Sequence, residues 1–433
     1  MEKSGIETKS IVFYSVILIA LIITICPFFT GFIDFYTMTS LVFMEIMAAF
    51  FYKDRKNVKR ESKIFFLRRT QKGKRFLINL TQRFPRFWKI VGSVAVVVGL
   101  VSSIIFFYYL LLSVQLLATT DIPREGTGIL LPTPTSEPVF GRGFIAIPFW
   151  YWIIIISCLI VAHEGMHAIM GSLAKVKLKS LGWGLLLILP LAFVEPDEKQ
   201  VTKKKFWEQM RFFAAGSFGN FILAGVCFLV FFYGFAVFFT NVGIGNYAII
   251  TGEGYPAEQA NLTGIIISID NYTVRDRFDL ANALYEVGPN KKITITTKLG
   301  TSPDAEIKKF TLTTIAHPDA NESNNLSEAG YIGIGFFQTR FGLIPPETED
   351  VKPEFHGWKN SINFFKWLFF WMFLINLFVG GFNLLPLTVL DGEKMWRLIA
   401  RRLSPKYGDK IMNGISLLTF FIIISLFYFV IFT

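Results

Sequence analysis

The chain has 433 residues, 52% of them hydrophobic and only 17% charged, with 48 Phe. That balance excludes an ordinary soluble domain and fits a multi-span membrane protein. The net charge of +11 would suit nucleic acid, but its placement along the chain argues for a membrane surface instead.

Residues 1–52 hold two apolar runs, about 10–30 and 34–52, each long enough to cross the hydrocarbon core. Lys3 and Lys9 precede the first run as they would in a signal peptide. No small-residue cleavage site follows, so the run reads as an anchor. Residues 53–89 carry 14 Lys and Arg against 2 acids. Wedged between apolar spans, this is the positive-inside signature of a cytoplasmic loop lying on the lipid bilayer. Residues 90–143 supply a third span to about 117, then an outer loop, Asp121–Arg142, rich in Pro and Gly. Cys26, Cys158 and Cys227 sit in apolar runs without paired spacing, which indicates neither a disulfide framework nor a cysteine metal site.

Residues 144–240 carry the chemistry. A span over about 144–172 contains Ala162-His163-Glu164-Gly165-Met166-His167. On a helix, residues i and i+4 share a face, so His163 and His167 can grip one metal ion. Glu164 then stands where it can take a proton from water. A His pair could also be a non-catalytic metal or packing pair, but Glu164 would be a costly passenger in lipid. The stretch Gly182–Pro196 is apolar but too short and broken to cross, so a re-entrant hairpin is expected. Glu195, Asp197 and Glu198 read as its solvated end. A further span, about 206–240, includes Gly216-Ser-Phe-Gly-Asn220. Asn220 suits either a catalytic amide or a helix–helix hydrogen bond, with Gly216 and Gly219 allowing close packing.

Residues 241–357 change character. Short β-branched runs alternate with turn residues, and 15 acids face 9 Lys and Arg. Glycosylation triplets at Asn261, Asn271, Asn321 and Asn325 suit an extracytoplasmic surface. Residues 358–395 form a sixth span, about 362–387, ending in Asn383-Leu-Leu-Pro-Leu-Thr-Val-Leu-Asp391-Gly392. Catalytic zinc wants three protein ligands and one open position. His317 and His356 belong in or beside the outer domain, whereas Asp391 is a carboxylate at matching depth and is the third-ligand candidate. Asp391 could equally cap the next helix. Asn383 could hold substrate backbone or an oxyanion, or with Pro386 merely shape a kinked helix end. Residues 396–433 are a basic amphipathic piece and a seventh span. Placing basic segments inside leaves the N-terminus cytoplasmic, with the β domain and the C-terminus outside a multi-pass cell-membrane protein.

The three motifs, HEGMH, GSFGN and NLLPLTVLDG, resemble in order those of the site-2 protease family of intramembrane zinc metalloproteases. The resemblance covers about 144–240 and 358–395 and implies zinc ligation by His163, His167 and Asp391. It also implies Glu164 as catalytic acid/base and Asn383 in substrate handling. The family's membrane hairpin is similar to Gly182–Pro196. Family members often carry a PDZ domain between the second and third core helices, and GYPAEQANLTGIIISIDNYTVRDRFDLANAL is similar to one. Ser217, where many members have Pro, and a weak carboxylate-binding loop are departures.

The expected fold is therefore a multi-span α-helical membrane protein of about seven transmembrane helices. It carries a re-entrant hairpin and an extracytoplasmic mixed α/β PDZ-like domain. The expected activity is zinc-dependent hydrolysis of peptide bonds in transmembrane segments of membrane-anchored protein substrates, with a zinc ion as cofactor. Two rivals come from other classes. One is a catalytically silent membrane receptor or adaptor acting through the PDZ-like domain. The other is a metal-binding transporter, which would call for inverted repeats. Oligomeric state is not legible in the sequence.

Overall fold

The computed structural model describes residues 2–53, 59–60, 65–70, 73–119, 127–136, 138–186, 189–245, 249–251, 254–300, 305–318, 327–336 and 347–432. The triplets at Asn321 and Asn325 lie outside the described residues. The chain divides into two compact units, residues 1–229 with 367–433, and residues 230–366.

The first unit opens with helices α1 (Glu2–Phe29) and α2 (Phe35–Lys53). Strands β1 (Lys59–Arg60) and β2 (Phe65–Thr70) precede α3 (Lys74–Arg83) and α4 (Pro85–Thr119). Pro85 stands at the first position of α4, where its missing N–H has no helical partner to lose. Strands β3 (Thr127–Thr133) and β4 (Val139–Pro148) pair in parallel and lead into α5 (Phe149–Leu173). The segment expected as an outer loop therefore carries strands. The span expected from about 144 starts at Phe149, because Pro148 holds an extended backbone (ψ 136°) at the helix boundary.

Strands β5 (Leu178–Leu186) and β6 (Leu189–Pro196) form an antiparallel hairpin. It joins the two earlier strands in one sheet of order β1-β2-β5-β6. The basic segment expected as a plain loop thus supplies half of this sheet and α3. Its charge run hid short strands whose backbone groups need a pairing partner. After α6 (Glu198–Val201), helix α7 (Phe206–Leu229) completes the unit's first segment.

The second unit begins with one π turn and one 3₁₀ turn, Val230–Phe238, followed by β7 (Phe239–Gly245) and β8 (Ile249–Thr251). Helix α8 (Pro256–Gln259), β9 (Ile265–Ile269), β10 (Tyr272–Thr273) and α9 (Arg277–Val287) come next. Asp276 caps α9 by accepting from the N–H groups of Phe278 and Asp279, at 2.8 and 2.9 Å. Strands β11 (Lys292–Lys298), β12 (Ile307–Thr313), β13 (Ile315–Ala316), β14 (Gly330–Tyr331), β15 (Ile334–Phe336) and β16 (Glu347–Val351) finish the mixed α/β insert. The main sheet runs β12-β11-β9-β7-β16. Burial alternates along β11, with Ile293, Ile295 and Thr297 turned into the core and Lys292 outward.

The chain then returns to the first unit through α10 (Lys359–Phe382), α11 (Asp391–Leu403) and α12 (Gly408–Phe432). Helix α10 stops at Phe382, short of the expected 387, in a turn leading to Pro386. Five helical stretches are long and apolar enough to cross a membrane: Pro85–Thr119, Phe149–Leu173, Phe206–Phe238, Pro353–Phe382 and Gly408–Ile431. The stretches Phe13–Phe29 and Phe35–Phe50 are apolar but shorter, so among the described residues five of the seven expected spans meet the length. The protein is a multi-span helical membrane protein with a mixed α/β insert.

Candidate metal centre

Helices α5 and α7 pack closely because α7 presents small residues to α5. A Cβ on Gly219 would lie 2.4 Å from the Ala162 carbonyl oxygen, so only glycine permits the approach. The same packing brings α7 against the imidazoles of α5. His167 is buried, and its Nδ1–H donates to the Phe212 carbonyl at 2.8 Å. That bond leaves Nε2 as a lone-pair acceptor turned inward.

His163 Nε2 stands 3.1 Å from His167 Nε2. Asp391 Oδ2 stands 3.0 Å from His167 Nε2 and 3.4 Å from His163 Nε2. Tetrahedral zinc with ligand bonds near 2.0 Å separates its ligand atoms by roughly 3.3 Å. The three atoms therefore match one face of a tetrahedron and leave its fourth corner open. His163, His167 and Asp391 are the cluster of metal-ligand type found among the described residues.

Asn220 is fully buried, and its amide lies 3.2 Å from His163 Nδ1. Its Oδ1 has no partner when Nδ2 faces the ring. Exchanging the two amide atoms lets Oδ1 accept from His163 Nδ1–H and removes the orphan. Both imidazoles then turn unprotonated Nε2 atoms toward the Asp391 carboxylate. Three acceptors at this spacing repel one another unless a cation lies between them, so the donor set fits a metal. The steric evidence agrees: a Cβ on Gly216 would lie 2.4 Å from His167 Nε2 and 2.5 Å from His163 Nε2. Glycine keeps that shared space open.

Asp391 is the first residue of α11, and its delivery depends on the turn before it. Gly392 N–H donates to the Asn383 carbonyl at 2.9 Å, and a Cβ on Gly392 would strike the Leu384 carbonyl. Buried Ser103 of α4 donates to the same Leu384 carbonyl at 2.6 Å and accepts from the Trp396 indole at 2.8 Å. Val389, two residues before Asp391, has φ 79°, a left-handed conformation rare for a β-branched residue. Lys394 lies 3.5 Å from the second carboxylate oxygen, Asp391 Oδ1.

Glu164 sits half-buried beside His163 and makes no hydrogen bond or ion pair among the described residues. Asn383 is not part of the cluster. Its carbonyl anchors the turn, and its half-buried side chain has no described partner. Sequence reasoning missed Phe212 and Ser103, since a backbone carbonyl carries no side-chain signal and a serine in an apolar helix looks like filler. Gly216 was legible only as a packing glycine.

A model of peptidase family M50 matches residues 151–427, which include every residue of the cluster. An uncharacterized protein of Methanocaldococcus jannaschii is 23% identical over 384 residues, spanning 86% of this chain and 87% of that one.

Proposed function

The chain belongs to peptidase family M50, and on that premise we propose that it is a zinc-dependent endopeptidase cutting peptide bonds within transmembrane segments of membrane-anchored proteins. The observation that carries the proposal is the convergence of His163, His167 and Asp391 on one point, with unpartnered Glu164 on the same helix. A carboxylate with no ion pair in a membrane-crossing helix calls for a functional reason.

His163 and His167 would hold the ion through Nε2 and Asp391 through Oδ2. A zinc ion supplies Lewis acidity, polarising a peptide carbonyl and acidifying water. Glu164 accepts the proton of the attacking water and delivers it to the leaving amine nitrogen. Asn220 and the Phe212 carbonyl hold the two rings in the tautomer that presents Nε2. Asn383, at the mouth of the turn before Asp391, is the candidate for handling substrate backbone. A substrate helix has to unwind locally, because its carbonyls are otherwise spent in its own hydrogen bonds. Residues 241–357 of the insert are read as the PDZ-like domain outside the membrane, with the N-terminus cytoplasmic.

The test is cleavage of a tagged single-span substrate in membranes, with zinc counted in each variant. Wild type is expected to cut. Glu164→Gln should keep zinc and lose cleavage by at least about a hundredfold, the lower range of general acid–base catalysis. Asp391→Ala should lose zinc. Cleavage by Glu164→Gln at the wild-type rate would overturn the mechanism and promote the silent receptor or adaptor.

A further inference from the structure

Outside the metal centre, positive charge gathers without counter-charge at one end of α4 and α7. Arg86 and Lys89 are exposed on the first turns of α4, and Arg211 is half-buried on α7. Arg211 lies within a helix apolar enough to cross a membrane. Its Nε donates to Ser93 Oγ at 3.2 Å, and the Ser93 hydroxyl donates to the Lys89 carbonyl at 2.9 Å. Among the described residues no carboxylate pairs with Arg86, Lys89 or Arg211. Elsewhere in the same unit Arg397 pairs with Glu393 and Asp409, and Arg401 with Asp409.

The seat for Arg211 is built into the packing. A Cβ on Gly92 would lie 3.1 Å from Arg211 Cδ and 3.2 Å from its Cγ, so glycine makes the notch in which the aliphatic stem lies. The stem is held against α4 while the guanidinium keeps N–H donors beyond the one that Ser93 accepts. Directly beside these groups, Arg86, Lys89, Ile90, Ser93, Val94, Val97 and Val98 line an open groove of about 680 Å³. Its head is cationic and hydroxylic. Its floor along α4 is aliphatic.

A half-buried cation at a membrane-crossing helix calls for an anionic partner, and the described residues provide none. A ligand that answers both halves of the groove has a phosphate at one end and a hydrocarbon chain at the other. We propose that Arg86, Lys89 and Arg211, the last held in place by Ser93, bind the phosphate headgroup of an anionic phospholipid whose acyl chain lies along Ile90, Val94, Val97 and Val98. The guanidinium and ammonium groups supply the charge-assisted hydrogen bonds, and clustered cations next to a membrane span favour lipids of net negative charge.

The experiment is native mass spectrometry of the full chain in neutral detergent, titrated with dioleoylphosphatidylglycerol or dioleoylphosphatidylcholine. One phosphatidylglycerol is expected to bind at least about tenfold more tightly than phosphatidylcholine, equivalent to roughly 1.4 kcal/mol. The surface double variant Arg86→Gln/Lys89→Gln and the single variant Arg211→Gln should each bring the two lipids to near-equal affinity. Val97→Trp, which fills the groove at an exposed position, should weaken both lipids. Inorganic phosphate in millimolar excess should leave bound phosphatidylglycerol in place. Equal affinity for the two lipids in wild type, or an unchanged preference in the Arg86→Gln/Lys89→Gln variant, would overturn the proposal. Displacement by inorganic phosphate would overturn it too, identifying a free-anion site. None of these residues belongs to the metal centre, so the readout stands apart from cleavage.

Discussion

The two units of this chain differ in what they leave outside and in how many small residues and methionines their cores carry. In the first, Ala95, Ala214 and Ala215 share the core between helices with Met166, Met170, Met210, Ile169, Phe212 and Phe213, while Val94, Val97, Val101, Ile104 and Tyr108 face outward. In the second, Ile244, Ile266, Ile269, Ile293 and Ile295 fill the interior and Lys292 looks out. The difference follows from the solvent. Where the surroundings are as apolar as the side chains, hiding large residues supplies little driving force, and close backbone approach through small ones helps hold helices together. Where the surroundings are water, burial of isoleucine drives folding. The first strategy also explains how a polar cluster survives in that unit: small residues on α7 let backbone and amide groups reach the His pair.

The comparison makes adding atoms the way to break the first unit and removing atoms the way to break the second. The largest effect is expected from Gly216→Val, whose side chain would enter the space shared by the two Nε2 atoms. Zinc content of the purified protein should fall to background while the helical circular dichroism is retained. Next comes Ile295→Ala, which empties a fully buried site in the second unit. It should destabilise that unit by about 2–5 kcal/mol, read as faster amide exchange in β9 and β11, and leave zinc content unchanged. A fall in zinc would erase the distinction between the units.

Asn220→Ala tests the assignment of its amide. Loss of a hydrogen-bond partner behind a ligating histidine typically weakens metal binding by about 10–100-fold, measured by competition with a chelator. An unchanged affinity would mean that the amide serves helix packing alone. The smallest effect belongs to Val101→Ala. This side chain is 52% exposed on a membrane-crossing helix. Its removal should change stability in membrane-mimetic unfolding by no more than about 0.5 kcal/mol, the range of surface substitutions.

Much of the fold was legible without coordinates, and the reasons are particular. The helices around Pro85–Thr119 and Gly408–Ile431 announce themselves because an apolar run of such length has one stable form in hydrocarbon. The strands at Lys59–Arg60 and Phe65–Thr70 did not, because among the described residues their pairing partner beyond themselves, β5, lies more than a hundred residues on. A strand of that length has no local stability to betray it. The Leu178–Pro196 hairpin they join was expected as a hairpin over Gly182–Pro196, but the basic segment that completes its sheet reads as a loop.

The sequence by itself determined that His163, Glu164 and His167 share a helix, and that the chain crosses a membrane several times around an acidic β-rich insert. Helical periodicity and hydrocarbon thickness are local constraints, and residues within a few turns satisfy them alone. Only the tertiary structure decided that Asp391, 224 positions from His167, comes within 3.0 Å of it. It also decided that Phe212 and Asn220 orient the two rings, and that Gly216 leaves the space between them. Those outcomes depend on where α7 is pressed against α5 and α11 against α7. That pressing is set by close packing across the whole unit, which no single stretch of residues encodes.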